Sequence, residues 1–224
     1  IIMRSLHRLA VVILMLLVAT SGCGKVPGTG KKKKSSTSQR PPPVAADAYG
    51  SVEEAVTELI TSAEANNLQK QDRAASWLAD RGEPAIDPLS AILLGSDQPE
   101  PARIAACQVL SKLGPGARPA LLRASDDTVR MVRISATRRL GLIRPSDQQT
   151  VDRLVTLLGH EDQQTRRAAV QSLGSIGKPA EAAIDPLVEV YNNKRNKDLI
   201  RNDAIQALKK INPRKDFTDL LLDN

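Results

Sequence analysis

The stretch "RRAAVQSLGSIG", Arg166 to Gly177, decides how the rest of the chain is read. Ala169, Leu173 and Ile176 stand at i, i+4 and i+7, one stripe of a 3.6-residue period. A small alanine lets a neighbouring helix come close, and the leucine fills the groove beside it. Gly177 ends the stripe with a residue that tolerates the left-handed conformation of a helix stop.

The same pattern recurs on both sides. Leu78, Leu110, Leu140, Leu173 and Leu208 follow one another at spacings of 32, 30, 33 and 35 residues. Four residues before each stands an alanine: Ala74, Ala106, Ala136, Ala169 and Ala204. Seven before stand Gln71, Arg103, Arg133, Arg166 and Arg201. Three after, the last four units have Leu113, Ile143, Ile176 and Ile211, and the first has Arg81. A period of this length marks one supersecondary unit that buries its apolar face only by stacking on the next.

Each unit reads as two helices. Gly82, Gly114 and Gly177 close the first, and Pro84, Pro119 and Pro179 open the following segment. The second helices are "AIDPLSAILL" (85–94), "RPALLRA" (118–124), "VDRLVTLL" (151–158), "AIDPLVEVY" (183–191) and "DFTDLLL" (216–222). In the two "AIDPL" segments, either Asp87 and Asp185 cap a helix with proline just inside it, or the proline kinks a longer helix. Ahead of the first unit, "SVEEAVTELITSAEA" (51–65) opens on Ser51 and Glu54, a capping box. Its stripe of Val52, Val56, Leu59 and Ile60 predicts a helix that caps the stack.

The tandem run R-x-x-A-x-x-x-L-x-x-[IL], matched in four of five units across about 70–224, resembles the HEAT and HEAT-like repeats, including the short bacterial type of phycobilisome lyases. The resemblance implies an all-α fold over 50–224: a right-handed α-solenoid of about five helix-pair repeats with an N-terminal capping helix. It implies architecture rather than activity, because such repeats carry many unrelated functions.

Upstream, Arg4 and Arg8 precede "LAVVILMLLVA" (9–19), eleven apolar positions in a row. A membrane span takes about 20, so the run fits the apolar region of a secretory signal. Ser21 and Gly22 before Cys23 resemble the lipobox of bacterial lipoproteins, with Thr20 where leucine is usual. That resemblance implies a signal peptide over 1–22, acylation of Cys23 with fatty chains such as palmitate, and an extracytoplasmic place on a bacterial membrane. Gly24 after the cysteine is, by the same resemblance, the pattern of outer-membrane sorting. The residues alone leave open an ordinary signal peptide with an incidental cysteine, and an uncleaved anchor. Residues 23–49 lack the apolar content to offset ordering and read as a basic, proline-rich tether with a reach of roughly 25–30 Å.

Charge follows the same division. The chain is +7 in all, yet eight cations precede Asp47 with no acid among them. From Asp47 onward 24 Lys and Arg face 25 Asp and Glu, a net of −1. The repeats therefore lack the basic balance of a nucleic-acid-binding fold. The expected partners are an unidentified protein and a membrane, the latter met through the lipid and through Lys31, Lys32, Lys33 and Lys34 at about 1 kcal/mol each. A phosphate loop does not fit, because five residues separate Gly24 from Gly30 and Lys32 follows Lys31 where a hydroxyl is needed.

The recurrent Arg103, Arg133, Arg166 and Arg201 admit two readings: a basic ladder for an acidic ligand, or a structural row. In the structural reading each arginine pairs with the aspartate shortly before it: Asp97, Asp127, Asp162 and Asp198. It is favoured, because half-buried charges are usually paired. No enzyme activity, metal or cofactor is expected. His7 lies in the leader and His160 stands alone, while Cys107 sits on a packed stripe. Chromophore-lyase activity follows only from family analogy and is set aside for an exported chain. Trp77 is expected in the core. The widest turn, with Tyr191, Asn192, Asn193, Lys194 and Arg195, is the candidate partner contact. The function expected is a lipid-anchored scaffold for protein–protein interaction; the alternative is an auxiliary substrate-binding subunit of an envelope enzyme or transport complex.

Overall fold

The computed structural model describes residues 48–217. The leader, Cys23, the four-lysine run and residues 218–224 lie outside the described residues. The described chain is an all-α solenoid. Its helices are α1 (Val52–Glu64), α2 (Leu68–Arg81), α3 (Ile86–Leu94), α4 (Glu100–Leu113), α5 (Arg118–Ala124), α6 (Arg130–Leu140), α7 (Gln148–Leu157), α8 (Gln163–Ile176), α9 (Ile184–Asn192) and α10 (Asp198–Ile211). Among the described residues none is long and apolar enough to cross a membrane.

The even-numbered helices carry the repeated motif and stack in one layer, α2 on α4, α4 on α6, α6 on α8 and α8 on α10. All five motif alanines and all five motif leucines are fully buried. Pairing runs α1 with α2, α3 with α4, and so on to α9 with α10. Each motif helix thus closes its hairpin rather than opening it, and α1 ends the stack as the partner of α2. The stops lie where expected: Gly82, Gly114 and Gly177 have φ of +70°, +86° and +74° with ψ of −133°, −154° and −141°, an extended positive-φ region that costs other residues about 1–3 kcal/mol.

Helix starts differ from expectation in three places. Asp87 and Asp185 cap nothing; both lie in a first turn, after 3₁₀ segments Glu83–Ala85 and Lys178–Ala183 that deliver the chain already helical. Pro88 and Pro186 fall within the first three helical positions, where no intrahelical acceptor is lost, so neither kinks its helix. Helix α7 begins three residues early because Asp147 accepts a hydrogen bond from Thr150 N–H at 2.9 Å. At α1, Ser51 Oγ accepts from Glu54 N–H as a capping box requires, but Glu54 reaches past Ser51 to Gly50 N–H at 2.7 Å. Tyr49, assigned from sequence to the tether, packs edge-on against Trp77 with ring centroids 5.3 Å apart.

The apolar core is divided. One cluster runs from Tyr49 to Ile143 and a second from Val151 to Phe217. Between them α6 meets α8 across a seam of small and polar groups. A Cβ on Gly141 would lie 2.7 Å from Ser172 Cα. Ser172 Oγ donates to Thr137 O at 2.9 Å, Arg144 to Ser175 O at 2.5 Å and Arg133 Nε to Thr165 Oγ1 at 3.2 Å.

The seam makes Gly141→Val a probe of how the stack coheres. The new side chain meets backbone, so it is expected to cost about 1–3 kcal/mol. Hydrogen exchange should rise between residues 130 and 176 while α1 to α3 stay protected, because each repeat leans only on its neighbours. Equal loss of protection throughout would show a single cooperative block instead.

Candidate functional site

The arginine row comes first, because it decides whether four guanidinium groups are free for a ligand. Arg103 Nε donates to Leu93 O at 2.8 Å, and its two terminal nitrogens bond both oxygens of Asp127. Arg133 donates to Asp127 O at 2.6 Å, Arg166 to His160 O at 2.8 Å and Glu161 O at 2.9 Å, and Arg201 to Tyr191 O at 2.8 Å. Every arginine thus supplies donors to carbonyls at or just past the C-terminal end of the preceding odd-numbered helix, where intrahelical donors run out. Three also reach the next repeat's turn, through Asp127, Thr165 and Asn196.

The expected arginine–aspartate partners are mostly different. Asp127 pairs with Arg103, one repeat earlier, and Asp162 with Arg130. Asp97 takes a bond from Gln98, and Arg201 with Asp198, at 3.6 Å, keeps the expected pairing. The cause is capping. Asp127 accepts from Val129 N–H and Asp162 from Thr165 N–H, so these carboxylates face their own helix starts. Burial raises the Asp162 carboxyl, but bonds from Thr165 and Arg130 outweigh it and hold it at about 2.

The wide turn forms part of a cleft of about 450 Å³ between the α7–α8 and α9–α10 hairpins. Val155, Leu158, Pro186 and Val190 make an apolar floor, and Arg166, Glu189, Asn193, Arg195 and Asn196 line the rest. Of the expected contact residues, Asn193 and Arg195 reach it; Tyr191, Asn192 and Lys194 are not in its lining. Tyr191 lies beneath the Arg201 guanidinium, 4.9 Å from the ring centroid. Asn196 is buried and donates to Val190 O at 2.9 Å while accepting from Arg166 Nε at 3.2 Å, so the turn is braced from below. Arg195 is exposed, and its N–H is held by Asn193 Oδ1 at 3.0 Å. The floor residues were not found from sequence, because they come from α7 and α9 and meet only once the hairpins stack.

The remaining candidates are placed as packing groups. Burial pushes the Cys107 thiol up to about 12. His160 Nδ1 accepts from Asp162 N–H at 2.9 Å, which makes it a turn residue. Trp77 lies in the core. Among the described residues, no group of three or more His, Cys, Asp and Glu side chains is placed to hold a metal ion.

Comparison with known proteins supports the repeat assignment. The family model of HEAT repeats matches residues 119–209. An uncharacterized phycocyanin operon protein of Pseudanabaena tenuis is 38% identical over 71 residues, which is 32% of this chain and 33% of that protein. The matched part thus spans about a third of that relative's length. The complex of CpcE and CpcF of phycocyanin lyase from Nostoc sp. PCC7120 matches at 19% identity with a TM-score of 0.54, over 68% of this chain and 97% of that one.

These matches correct the expectation of no enzyme activity: one solved chain of this fold belongs to a lyase. The exclusion assumed that catalysis needs a nucleophile or metal cluster on the same chain. A repeat subunit serves a reaction equally by holding a protein substrate whose own groups react. The matches with the lyase chains and the operon protein fit the HEAT-like, phycobilisome-lyase-type repeats recognised in the sequence.

The arginine row yields a comparison of two acids. Arg103 and Asp127 have side chains only 5% and 11% exposed, so Asp127→Ala leaves a buried guanidinium short of a partner and should cost about 3–5 kcal/mol. Asp198 is 92% exposed, and Asp198→Ala should cost less than about 1 kcal/mol. Urea denaturation of the two variants checks the order; similar midpoints would deny the buried pair its structural weight.

Proposed function

We propose that this chain is the protein-binding subunit of a lyase-type enzyme, held at a membrane through Cys23. The observation that carries the binding role is the cleft beside the α9–α10 turn. Its apolar lining suits an aliphatic side chain, and the exposed Arg195 and Asn193 side chains suit a carboxylate or a peptide backbone. Seating a protein segment there fixes the geometry of the group that reacts, which is where a subunit without its own nucleophile contributes. The lyase class is suggested by the phycocyanin lyase complex and the phycocyanin operon protein. The anchor is suggested by the apolar run before Ser21, Gly22 and Cys23. Lys31 to Lys34 then lie where they would meet anionic headgroups. This joins the scaffold role to that of an auxiliary substrate-binding subunit of an envelope enzyme.

Phycocyanin is the probe for the first part. The purified chain should bind it in a calorimetric titration, and Arg195→Ala should weaken binding about tenfold, the equivalent of roughly 1.4 kcal/mol. The visible absorption of phycocyanin should change only when the chain is present. Full binding by Arg195→Ala would move the contact away from the cleft, and an unchanged spectrum would remove the lyase role. For the anchor, a fatty-acid analogue fed to expressing bacteria should label the wild type and leave Cys23→Ser unlabelled. Equal labelling of both would exclude Cys23 as the acylated residue.

A further inference from the structure

The cleft changes character along its length. Val155 on α7, with Leu158 at its end, faces Pro186 and Val190 on α9. Asn193 and Arg195 follow in the turn after α9. Arg166 fixes the direction. It bonds carbonyls just past the end of α7 and Asn196 just past the end of α9, so the two helices bring their C-terminal ends to it. The apolar walls therefore come first and the cationic groups last. From Pro186 to Asn193 the wall runs about 10 Å, the length of about three residues of extended chain. The cleft is thus a few residues long, and it is cationic at one end only.

At that end the charge is not neutralised by the fold. The acceptors of Arg166 are His160 O, Glu161 O and Asn196 Oδ1, all neutral. Among the described residues neither Arg166 nor Arg195 belongs to an ion pair, whereas Arg103 and Arg201 have Asp127 and Asp198. Arg133 also bonds neutral oxygens, but it does not line the cleft. The carbonyls at a helix end amount to about half a negative charge, so they offset about half of the Arg166 guanidinium. Asn193 Oδ1 accepts from Arg195 N–H at 3.0 Å, which leaves its amide nitrogen to donate elsewhere. Glu189 is the acid of the lining, and it lies one turn before Asn193, toward the apolar end. Two guanidinium groups thus stand against one carboxylate.

We infer that the cleft receives the C-terminal end of a partner protein, with an aliphatic last side chain on the apolar walls and the free terminal carboxylate between Arg166 and Arg195. The inference rests on the reading of the cleft as a protein contact. One residue supplies both groups, because an aliphatic side chain and a terminal carboxylate leave the same Cα. The cleft offers their complements at a matching separation: Val190 and Asn193, three apart along α9, stand about 5–6 Å from each other. A carboxylate on an Asp or Glu side chain needs a second residue to fill the apolar part. A chain that ends at the turn also leaves its charge where the cations are, whereas one that runs through carries its backbone past them. Bonds from arginine to a carboxylate are charge-assisted and about twice as strong as neutral ones. Arg166 is half-buried, so water and salt screen it less than they screen the exposed Arg195. Glu189, set back by a turn, suits the N–H groups of the residues before the last.

Peptide binding by the full chain, carrying Cys23→Ser, tests this. The probes are glycine–serine hexapeptides labelled with fluorescein at the N-terminus and ending in valine, leucine, isoleucine or lysine. Each is made as the free acid and as the amide, and a further leucine amide carries glutamate before its last residue. Fluorescence anisotropy should show the aliphatic free acids binding, and the amides and the lysine peptide binding about tenfold more weakly or worse. Arg195→Ala replaces an exposed side chain, so the fold is little affected. It should weaken the free acids about tenfold and leave the amides nearly unchanged, the coupling expected of two groups in contact. Acid and amide bound alike, both weakened by Arg195→Ala, overturn the terminal carboxylate and leave the cleft a protein contact. A glutamate amide that binds as well as the leucine acid does the same. Free acids bound equally well by Arg195→Ala overturn the inference too, because the carboxylate then lies elsewhere. So does a failure of every free acid to bind up to about 1 mM. Loss of the reading beneath shows separately, as full phycocyanin binding by Arg195→Ala.

Discussion

The close approach of successive motif helices is the constraint on which the rest of the molecule depends. It is set by one alanine per repeat, buried without remainder in all five, and by Gly141 just past α6 and Gly174 on α8, whose missing Cβ atoms leave room for the next helix. At Gly174 an added Cβ would lie 3.0 Å from Ala207 Cα. This spacing keeps Arg103, Arg133 and Arg166 within reach of two places at once, a carbonyl at or just past the helix before and a side chain in the repeat after. A bulkier residue in the alanine row would put the forward bonds to Asp127, Thr165 and Asn196 out of range. The hydrophobic stripe and the polar row are therefore one device, in which packing sets a distance and hydrogen bonds fix an angle.

Much of this was legible because the repeat reports itself. Aligning five leucines located every motif helix and its buried stripe, with a glycine stop in three of them. Pairings were not legible, because spacing along the chain does not say which of two nearby groups a guanidinium will choose. Asp127 precedes Arg133 by six residues and yet its carboxylate binds Arg103. The starts at Ile86 and Ile184 were legible to within one residue, but not how they are made: 3₁₀ lead-ins deliver the chain already helical and need no capping side chain. The candidate turn was visible as an excess of Asn, Lys and Arg, but Val155 and Leu158 behind it belong to a different hairpin.

The early exclusion of enzymatic work came from counting reactive side chains. Such a count suits a fold that encloses its site, and it suits a solenoid poorly. The parts a solenoid offers are surface, spacing and orientation, and these leave no mark in a tally of histidines and cysteines. Cys107, buried with its thiol pushed up to about 12, is a case in point: its environment says packing, and it says nothing of what the outer surfaces hold.

The divided core has a mechanical meaning. Within each apolar cluster, side chains interlock in many directions, and any relative movement of helices opens voids. At the seam between α6 and α8 the helices come as close as elsewhere in the layer, but the groups that meet are small and polar, and the bonds from Ser172, Arg144 and Arg133 are directional. Such a joint resists sliding, which would break all three at once, more strongly than it resists a small change of tilt. Along the repeat array this is, among the described residues, the one joint where directional bonds, rather than a continuous apolar cluster, fix the angle between neighbouring motif helices. The cleft lies wholly beyond this joint, so the spacing of its walls is set by the second apolar cluster alone.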